Sequence, residues 1–366
     1  MKLLTALLLS LAASASAQFE ILDAHTTASL RGIDAVSPQI AWASGSNGTV
    51  LLTTDGGTTW KHCAIPPNGE KFDFRGVQAF DATTALVMAS GKGPLSAVFR
   101  NKDACATWKL IFADPDADGF FDAIRAPQPD SFLVLADSVK GQLRVWDWSE
   151  SVDGSGGEAE LSYQMKGPAI EGEGSFAASN TVLQQVRTAQ IDKKWKFAYR
   201  WTSQVAGHSF MHLVRDEQTS TCEPCVEEQI RVEMPLAGEK DSAGAFSFDF
   251  RDDLKGVAVG GEYTKPELTA RTAAFTADGG LTWTLAATSP HGYRSAVVFD
   301  PHARLWIAVG PNGTDISRDD GKNWTPLKPA HGDTPDADQH WNAISLPFVV
   351  GSKGRIGKLH PEAPGK

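Results

Sequence analysis

Apolar and polar residues alternate with a period of two along short segments of this chain, and Gly, Asn and Pro separate the segments. The first group of segments comprises residues 30–33, 40–45, 49–53 and 60–63. Four such strands in immediate succession predict an antiparallel meander, the unit of a β-propeller blade. Helix-period patterning does not occur after the N-terminal segment, so we expect an all-β chain.

The four-strand pattern recurs along the chain. Further units cover residues 74–111, 120–165, 175–232, 246–285 and 294–324. The fourth unit is expected to begin with a short strand at residues 175–178. The last unit (residues 341–359) has only three strands, and the strand at residues 19–24 has no partner nearby. If the N-terminal strand completes the last unit, the ring closes and no open sheet edge remains. We therefore predict a seven-bladed β-propeller with four-stranded antiparallel blades, forming a single domain over residues 18–366.

A second repeat predicts a recurring tight turn. Its copies are residues 53–60 (TTDGGTTW), 276–283, 317–324 and, in weaker form, 101–108. In such a turn Asp accepts backbone hydrogen bonds, Gly provides positive φ, and Trp packs into the sheet layer. The residues predicted to hold these turns are Asp55, Trp60, Asp103, Trp108, Asp278, Trp283, Asp319 and Trp324. The pattern resembles the Asp-box (BNR) repeat, which implies a structural role between the third and fourth strands of a blade.

Over nearly the whole mature chain, the repeat, its turns and the order of blade closure resemble the photosystem II assembly and stability factor family and its secreted, non-photosynthetic relatives. That resemblance implies a binding or assembly role. Other Asp-box propellers are sialidases and related glycoside hydrolases, so hydrolysis is the alternative. No Phe-Arg-x-Pro segment opens the first blade, and no nucleophilic Tyr with its Glu can be assigned.

The N-terminal segment and the charge indicate where the protein acts. Lys2 precedes an apolar run over residues 3–11 and the small residues 15–17, which predicts a cleaved signal peptide over residues 1–17 and a secreted or periplasmic protein. No later stretch is long enough to span a membrane. The net charge of -10 disfavours a nucleic-acid partner. We expect a monomer without a cofactor or metal site, because the nine His show no metal-ligand spacing.

Four cysteines allow up to two disulfides in an exported protein. Cys222 and Cys225 form a local pair, for which a small clip across a hairpin is favoured over a redox centre. Cys63 and Cys105 lie beside two successive turns and either join neighbouring blades or remain two small buried thiols.

The innermost strands of a propeller start at one mouth of the central channel, so their first side chains converge. Aligned in this way are Arg31, Arg75, Asp122, Ser175, Ser247, Arg294 and Asn342, with Glu173, Tyr293 and Trp341 just before three of the strands. Three guanidinium groups around one axis would bind a carboxylate, sulfate or phosphate. We therefore predict that Arg31, Arg75, Arg294, Tyr293, Trp341 and Asn342 bind an anionic small ligand, a glycan or a protein segment. The alternative is that each Arg only ties down a neighbouring blade.

The hydrolase alternative needs two carboxylates that face each other across the scissile bond. Candidates for catalysis are Asp122, Glu173, Glu262 and Tyr263, with Asp137 and Asn312 in neighbouring loops. Trp and Tyr side chains could stack on sugar rings, although blade packing accounts for most of the eleven Trp.

Overall fold

The chain forms seven β-sheets and almost no helix. The computed structural model describes residues 18–66, 68–150, 160–186, 190–192, 195–215, 229–238 and 240–360. Short 3-10 helices occur at Gly69–Lys71, Gly93–Leu95 and Ser352–Gly354. The predicted signal peptide and the Cys222–Cys225 pair lie outside the described residues.

The first three sheets follow one another along the chain, each as a four-stranded antiparallel meander. Blade one contains β2 (Leu30–Ala35), β3 (Ala41–Gly45), β4 (Val50–Thr53) and β5 (Lys61–His62). Blade two contains β6 (Phe74–Ala79), β7 (Ala85–Ala89), β8 (Ala97–Asn101) and β9 (Lys109–Ala113). Blade three contains β10 (Phe121–Gln128), β11 (Ser131–Val139), β12 (Gln142–Ser149) and β13 (Glu160–Pro168).

The next three sheets repeat this order. Blade four contains β14 (Leu183–Gln185), β15 (Gln190–Asp192), β16 (Trp195–Val205), β17 (His208–Arg215) and β18 (Gln229–Ala237), where β14 and β15 both pair with β16. Blade five contains β19 (Ala243–Phe250), β20 (Gly256–Glu262), β21 (Ala273–Thr276) and β22 (Thr284–Leu285). Blade six contains β23 (Ala296–Asp300), β24 (Leu305–Gly310), β25 (Gly313–Ser317) and β26 (Thr325–Pro326).

Blade seven joins the two ends of the described chain. Its strands are β27 (Trp341–Ser345), β28 (Phe348–Gly351), β29 (Ile356–Leu359) and β1 (Phe19–Leu22). β1 lies outermost and pairs antiparallel with β29, with Phe19 opposite Leu359 and Leu22 opposite Ile356. The predicted seven-bladed propeller and its closure by the N-terminal strand are confirmed.

The apolar core is divided among the contacts between neighbouring blades. Each of the seven hydrophobic clusters in the described chain combines residues of two adjacent blades. The cluster that joins the first and last blades includes Leu30 and Ala343, with Trp60 edge-on to Phe348 at a ring distance of 5.7 Å. Because every blade packs on two neighbours, loss of one blade contact would weaken the ring as a whole.

The four repeated turns join the third and fourth strands of blades one, two, five and six. In the first turn, the Gly57 N–H donates to Thr53 Oγ1 (2.8 Å) and the Thr59 N–H donates to Asp55 Oδ1 (2.9 Å). The sequence predicted that Asp55 accepts backbone hydrogen bonds, and it does so at the exposed Thr59 N–H, whereas the acceptor of the buried Gly57 N–H is the Thr53 hydroxyl. The strand-end side chain therefore anchors each turn to the sheet, through a hydroxyl at Thr53, Thr276 and Ser317 and through the amide oxygen of Asn101 in blade two, and the carboxylate orders the exposed rim.

A disulfide links the first two blades. Cys63 follows β5, and Cys105 lies in the turn between β8 and β9, with 4.9 Å between their Cα atoms. Of the two alternatives for this pair, the structure shows the bridge between neighbouring blades.

Candidate functional site

Five of the seven innermost strands carry a β-bulge at the same position near their start. The register between first and second strands shifts there in blades one, two, three, five and seven. The bulged residues are Arg31, Arg75, Asp122, Phe246 and Asn342. A bulge adds an unpaired residue and re-aims its side chain. Here it gives the channel mouth a set of side chains that the sheets do not otherwise use.

A cup of about 720 Å³ opens at this mouth. Four of the bulged residues line it, namely Arg31, Arg75, Phe246 and Asn342, and the rest of the wall comes from Phe176, Ala177, Ala178, Asp241, Ser242, Tyr263 and Tyr293. The arginines belong to adjacent blades, and the aromatic residues come from the fourth, fifth and sixth repeats. The cup therefore has one cationic wall and one aromatic wall.

The cationic wall contains two guanidinium groups and one carboxylate. Arg75 Nε donates to Asp73 Oδ2 at 2.8 Å, and Arg31 Nε lies 3.8 Å from the same oxygen. Arg31 makes no hydrogen bond in the described structure, and 34% of its side chain is exposed. Burial and the neighbouring charge of Arg75 lower the pKa of Arg31, while the Asp73 carboxylate, which both guanidinium groups approach, opposes this shift. This wall would gain from the carboxylate of a ligand.

The aromatic wall is built around the Phe246 ring. Phe176 stacks on Phe246 with 3.5 Å between the ring centroids, and Tyr293 packs edge-on to it at 4.7 Å. Tyr263 also packs edge-on to Phe246, and about half of its surface (51%) is exposed at the rim. Burial raises the pKa of Tyr293, so its phenol is neutral. This wall can accept an apolar or planar group beside the cationic one.

The chain itself closes the floor of the cup. Residues 176–182 cross the channel, although residues 175–178 were predicted to form the inner strand of blade four; that strand begins only at Leu183. Hydrogen bonds to several other blades hold the crossing segment, among them Ser179 Oγ to the Ser295 carbonyl (2.8 Å), the Ile124 N–H to Asn180 Oδ1 (2.8 Å), and Thr181 Oγ1 to Ser247 Oγ (2.8 Å). The crossing segment therefore divides the central channel into two cups, each closed at its inner end.

Arg294 does not reach the cup. It lies one residue before Ser295, which is the position in blade six equivalent to the bulges, and a one-residue offset turns a side chain to the other face of a strand. Arg294 is fully buried, donates from Nε to Asp315 Oδ2 (2.8 Å) and from Nη1 to Asn312 Oδ1 (2.7 Å). Its guanidinium therefore ties down the loop and strand that follow within blade six, and not the neighbouring blade that the alternative for each Arg required.

Trp341 and Asn342 are adjacent in sequence, but only Asn342 lies at the cup. Trp341 is buried, donates from Nε1 to the Ala337 carbonyl at 3.1 Å, and has the Arg355 guanidinium 5.0 Å above its ring. Asn342 lines the cup and donates from Nδ2 to the Leu30 carbonyl at 2.8 Å. Of the predicted ligand-binding residues, the structure brings Arg31, Arg75, Tyr293 and Asn342 together.

The predicted catalytic carboxylates do not line the cup. Asp122 is fully buried; burial and the adjacent Asp137 charge raise its pKa well above the usual range. Burial also raises the pKa of Asp137 to about 6, although the Ser175 N–H donates to it at 3.2 Å. Asp122 and Asp137 thus form a carboxyl pair, and neither of them lines the cup.

Glu173 belongs to a buried polar network. Ser203 Oγ donates to Glu173 Oε1 at 2.6 Å, and His212 Nε2 lies 3.1 Å from the same atom. Burial alone would raise the pKa of Glu173, but the bonds from His212 and Ser203 outweigh it and lower the pKa to about 2. Serine, histidine and glutamate thus meet without access to solvent, so they stabilise blade four.

Glu262 lies on the surface, and Thr264 Oγ1 donates to it at 2.6 Å. Tyr263 is the one catalytic candidate that lines the cup. Sequence reasoning missed Phe176 and Phe246, whose roles depend on the crossing segment and the bulge. No set of three or more His, Cys, Asp or Glu in the described chain could hold a metal ion, and no described helix has the length and apolarity to cross a membrane.

Comparisons with solved structures show the same architecture. The chain is similar to a protein described as "YCF48 bound to D1 peptide" (TM-score 0.59, 15% identity, 93% of this chain and 96% of that one). It is also similar to YCF48 from Cyanidioschyzon merolae (0.51, 17%, 94% and 99%) and to the WD40 β-propeller domain of Doa1 (0.53, 11%, 96% and 100%). No family model and no curated protein matches the chain. At these identities the likeness shows the fold alone.

Proposed function

We propose that this chain is a secreted or periplasmic binding module, and that its cup holds an acidic peptide segment with an aromatic or large apolar side chain. The observation that carries the proposal is that one cup combines two arginines, which share a single ion-pair partner, with an aromatic wall. The Asp-box-like turns are structural in this account, because they join outer strands and take no part in the cup.

Charge and shape both favour such a ligand. Arg31 and Arg75 share the Asp73 carboxylate, and Asp241, the other carboxylate that lines the cup, forms no ion pair with either arginine in the described structure. A guanidinium fork binds a carboxylate through paired hydrogen bonds, and an aromatic side chain would cover Tyr263 at the rim. The cup volume of about 720 Å³ is in the range of small-ligand sites and admits a few residues of a peptide.

A structural neighbour of similar architecture has been solved with a peptide bound, which supports a peptide rather than a glycan. The bulge arrangement supports the proposal independently of that neighbour, since it places one cation on each of two adjacent blades.

The hydrolase alternative has weaker support. Asp122 and Glu173 are buried, and Glu262 lies outside the cup, so these carboxylates do not face one another across a bound sugar. Tyr263 alone cannot supply both the acid and the base that the reaction needs.

The experiment is a binding titration of the mature protein with three labelled tripeptides. Acetyl-Glu-Phe-Glu carries both features, Gln-Phe-Gln lacks the charges, and Glu-Ala-Glu lacks the ring. The proposal expects the first to bind most tightly, with a loss of about tenfold for either change. Arg31→Gln/Arg75→Gln should remove the preference for Glu over Gln.

The matched control is Arg318→Gln/Lys322→Gln, which removes two exposed charges from a turn between outer strands. It should bind like the wild type. A similar loss of peptide binding in the control would show that the effect of the arginine substitutions comes from net charge alone. Turnover of an aryl glycoside that survives the Arg31→Gln/Arg75→Gln change and is lost in Glu262→Gln would favour the hydrolase.

A further inference from the structure

A second cup lies at the opposite end of the channel, beyond the crossing segment. It encloses about 180 Å³, and all seven innermost strands contribute to its wall. Its floor is formed by Ser179, Asn180 and Thr181, whereas the preceding residues 176–178 of the same segment line the larger cup. The proposed peptide function does not use this cavity.

One ring of residues surrounds the second cup, at equivalent places in the inner strands. In blade order it consists of Asp34, Gln78, Arg125, Gln184, Asp249, Val298 and Ser345. Several of these side chains join neighbouring blades: Asp34 Oδ2 accepts from the Ala79 N–H at 2.8 Å, and Asp249 Oδ2 accepts from the Phe299 N–H at 2.9 Å. The ring therefore has a structural role that uses part of its polar capacity.

Arg125 is the cation of this ring. Its Nε donates to the Leu183 carbonyl at 2.8 Å, whereas its two terminal nitrogens bond to no described residue. Burial lowers the pKa of Arg125, and the charges that oppose this are those of Asp34 and Asp249. Neither carboxylate forms an ion pair with the guanidinium in the described structure. The three groups face one cavity and form no ion pair with one another.

The arrangement around the axis alternates in charge. Asp34 belongs to blade one, Arg125 to blade three and Asp249 to blade five, so a carboxylate stands two blades away on each side of the guanidinium. Gln184 also lines the cup, and its Oε1 is buried without a protein partner. A buried acceptor without a donor is unfavourable, and a ligand N–H would satisfy it.

We propose that this cup binds a small zwitterion of the α-amino-acid type. The ligand carboxylate accepts from the terminal nitrogens of Arg125, and its ammonium group lies toward Asp34 or Asp249. The volume of 180 Å³ limits the ligand to a small amino acid. The site is independent of the peptide cup, because the crossing segment separates them.

Both charges of the ligand are required by this geometry. A carboxylate without an ammonium group would meet Arg125 but also the two ring carboxylates. An amine without a carboxylate would be repelled by the guanidinium and leave its fork unused. A zwitterion complements both the guanidinium and the carboxylates, so the site should bind an amino acid more tightly than a simple carboxylate or a simple amine.

Calorimetric titration of the mature protein with glycine, alanine, acetate and ethylamine tests the proposal. We expect glycine or alanine to bind at least about tenfold more tightly than acetate or ethylamine. Equal affinity for acetate and glycine, or no binding of either amino acid up to about 10 mM, would overturn the proposal. This comparison needs only the wild-type protein, so it remains decisive if a variant fails to fold.

Variants locate the site. Arg125→Gln should weaken glycine binding by about tenfold or more, and Asp249→Asn, which keeps an acceptor for the Phe299 N–H, should weaken it less. Arg75→Gln in the other cup is the control and should leave glycine binding unchanged. Glycine binding that depends on Arg75 and not on Arg125 would place the amino acid in the peptide cup and refute the second site.

Discussion

Arg31 and Phe246 occupy the same bulge position in the inner strands of blades one and five, and both line the same cup. One backbone irregularity thus delivers a cation to one wall and an aromatic ring to the other. Because the bulge adds a residue without a ladder partner, its side chain can vary while the sheet stays intact. We regard the bulge as the device by which a symmetric fold obtains an asymmetric site.

The first prediction concerns the repeated turns. Thr276→Val should lower the free energy of unfolding by about 1 kcal/mol or more, because the buried Gly280 N–H then loses its acceptor, Thr276 Oγ1 at 3.1 Å. Denaturant unfolding measures this. Thr282→Val at the exposed rim of the same turn serves as control and should cost less. The reverse order would show that the exposed carboxylate bonds anchor the turn.

The second prediction concerns pH. Burial raises the pKa of Asp137 and of Asp249 to about 6, from 3.8. Between these values the folded state binds more protons than the unfolded state, so stability falls as pH rises from about 4 to above 6. Asp249→Asn removes one of these titrating groups, so the stability of the variant should fall less over this pH range. The stability of the variant relative to the wild type should therefore be higher at pH 7 than at pH 4.5. Melting temperatures of both proteins across this range measure the effect.

An Asp249→Asn variant whose stability changes with pH as steeply as that of the wild type would show that Asp249 is not the titrating group. Glu173, with its pKa lowered to about 2, contributes a slope of the opposite sign, but only at lower pH.

The third prediction concerns ring closure. Phe19 is 3% exposed and packs with Val349 and Leu359 between the last two blades. Phe19→Ala should cost about 3 to 5 kcal/mol through the lost transfer energy and the cavity. Glu20→Ala on the exposed side of the same strand is the control and should change stability little. Deletion of residues 18–24 should expose the edge of β29 and promote aggregation, which light scattering detects.

Repetition is the reason that the fold could be predicted from the sequence. Seven similar units each give a weak strand signal, and the missing fourth strand of the last unit assigns residues 19–22 by elimination. The closure therefore followed from pattern alone. The inner strand of blade four did not, because residues 175–178 alternate like a strand but lie where the chain crosses the channel.

The site was only partly predictable, because it depends on register. Arg31, Arg75 and Arg294 align in sequence, yet a shift of one residue sends Arg294 into its blade and leaves Ser295 at the channel. Local sequence does not show where a bulge falls, since that depends on pairing with the second strand. The aromatic wall had a weak signal, in that Phe246 precedes a predicted channel residue.

The most direct test of the central claim is a double-mutant cycle between Arg75 and the acidic ligand. Binding energies are measured for wild type and Arg75→Gln with acetyl-Glu-Phe-Glu and with each peptide in which one Glu is replaced by Gln. If the cup holds the peptide through this guanidinium, one Glu should couple to Arg75 by about 1 kcal/mol or more. If the loss of binding energy from Arg75→Gln and that from each Glu replacement simply add, there is no coupling between the guanidinium and the peptide. That result, together with the same result for Arg31→Gln, would contradict the account.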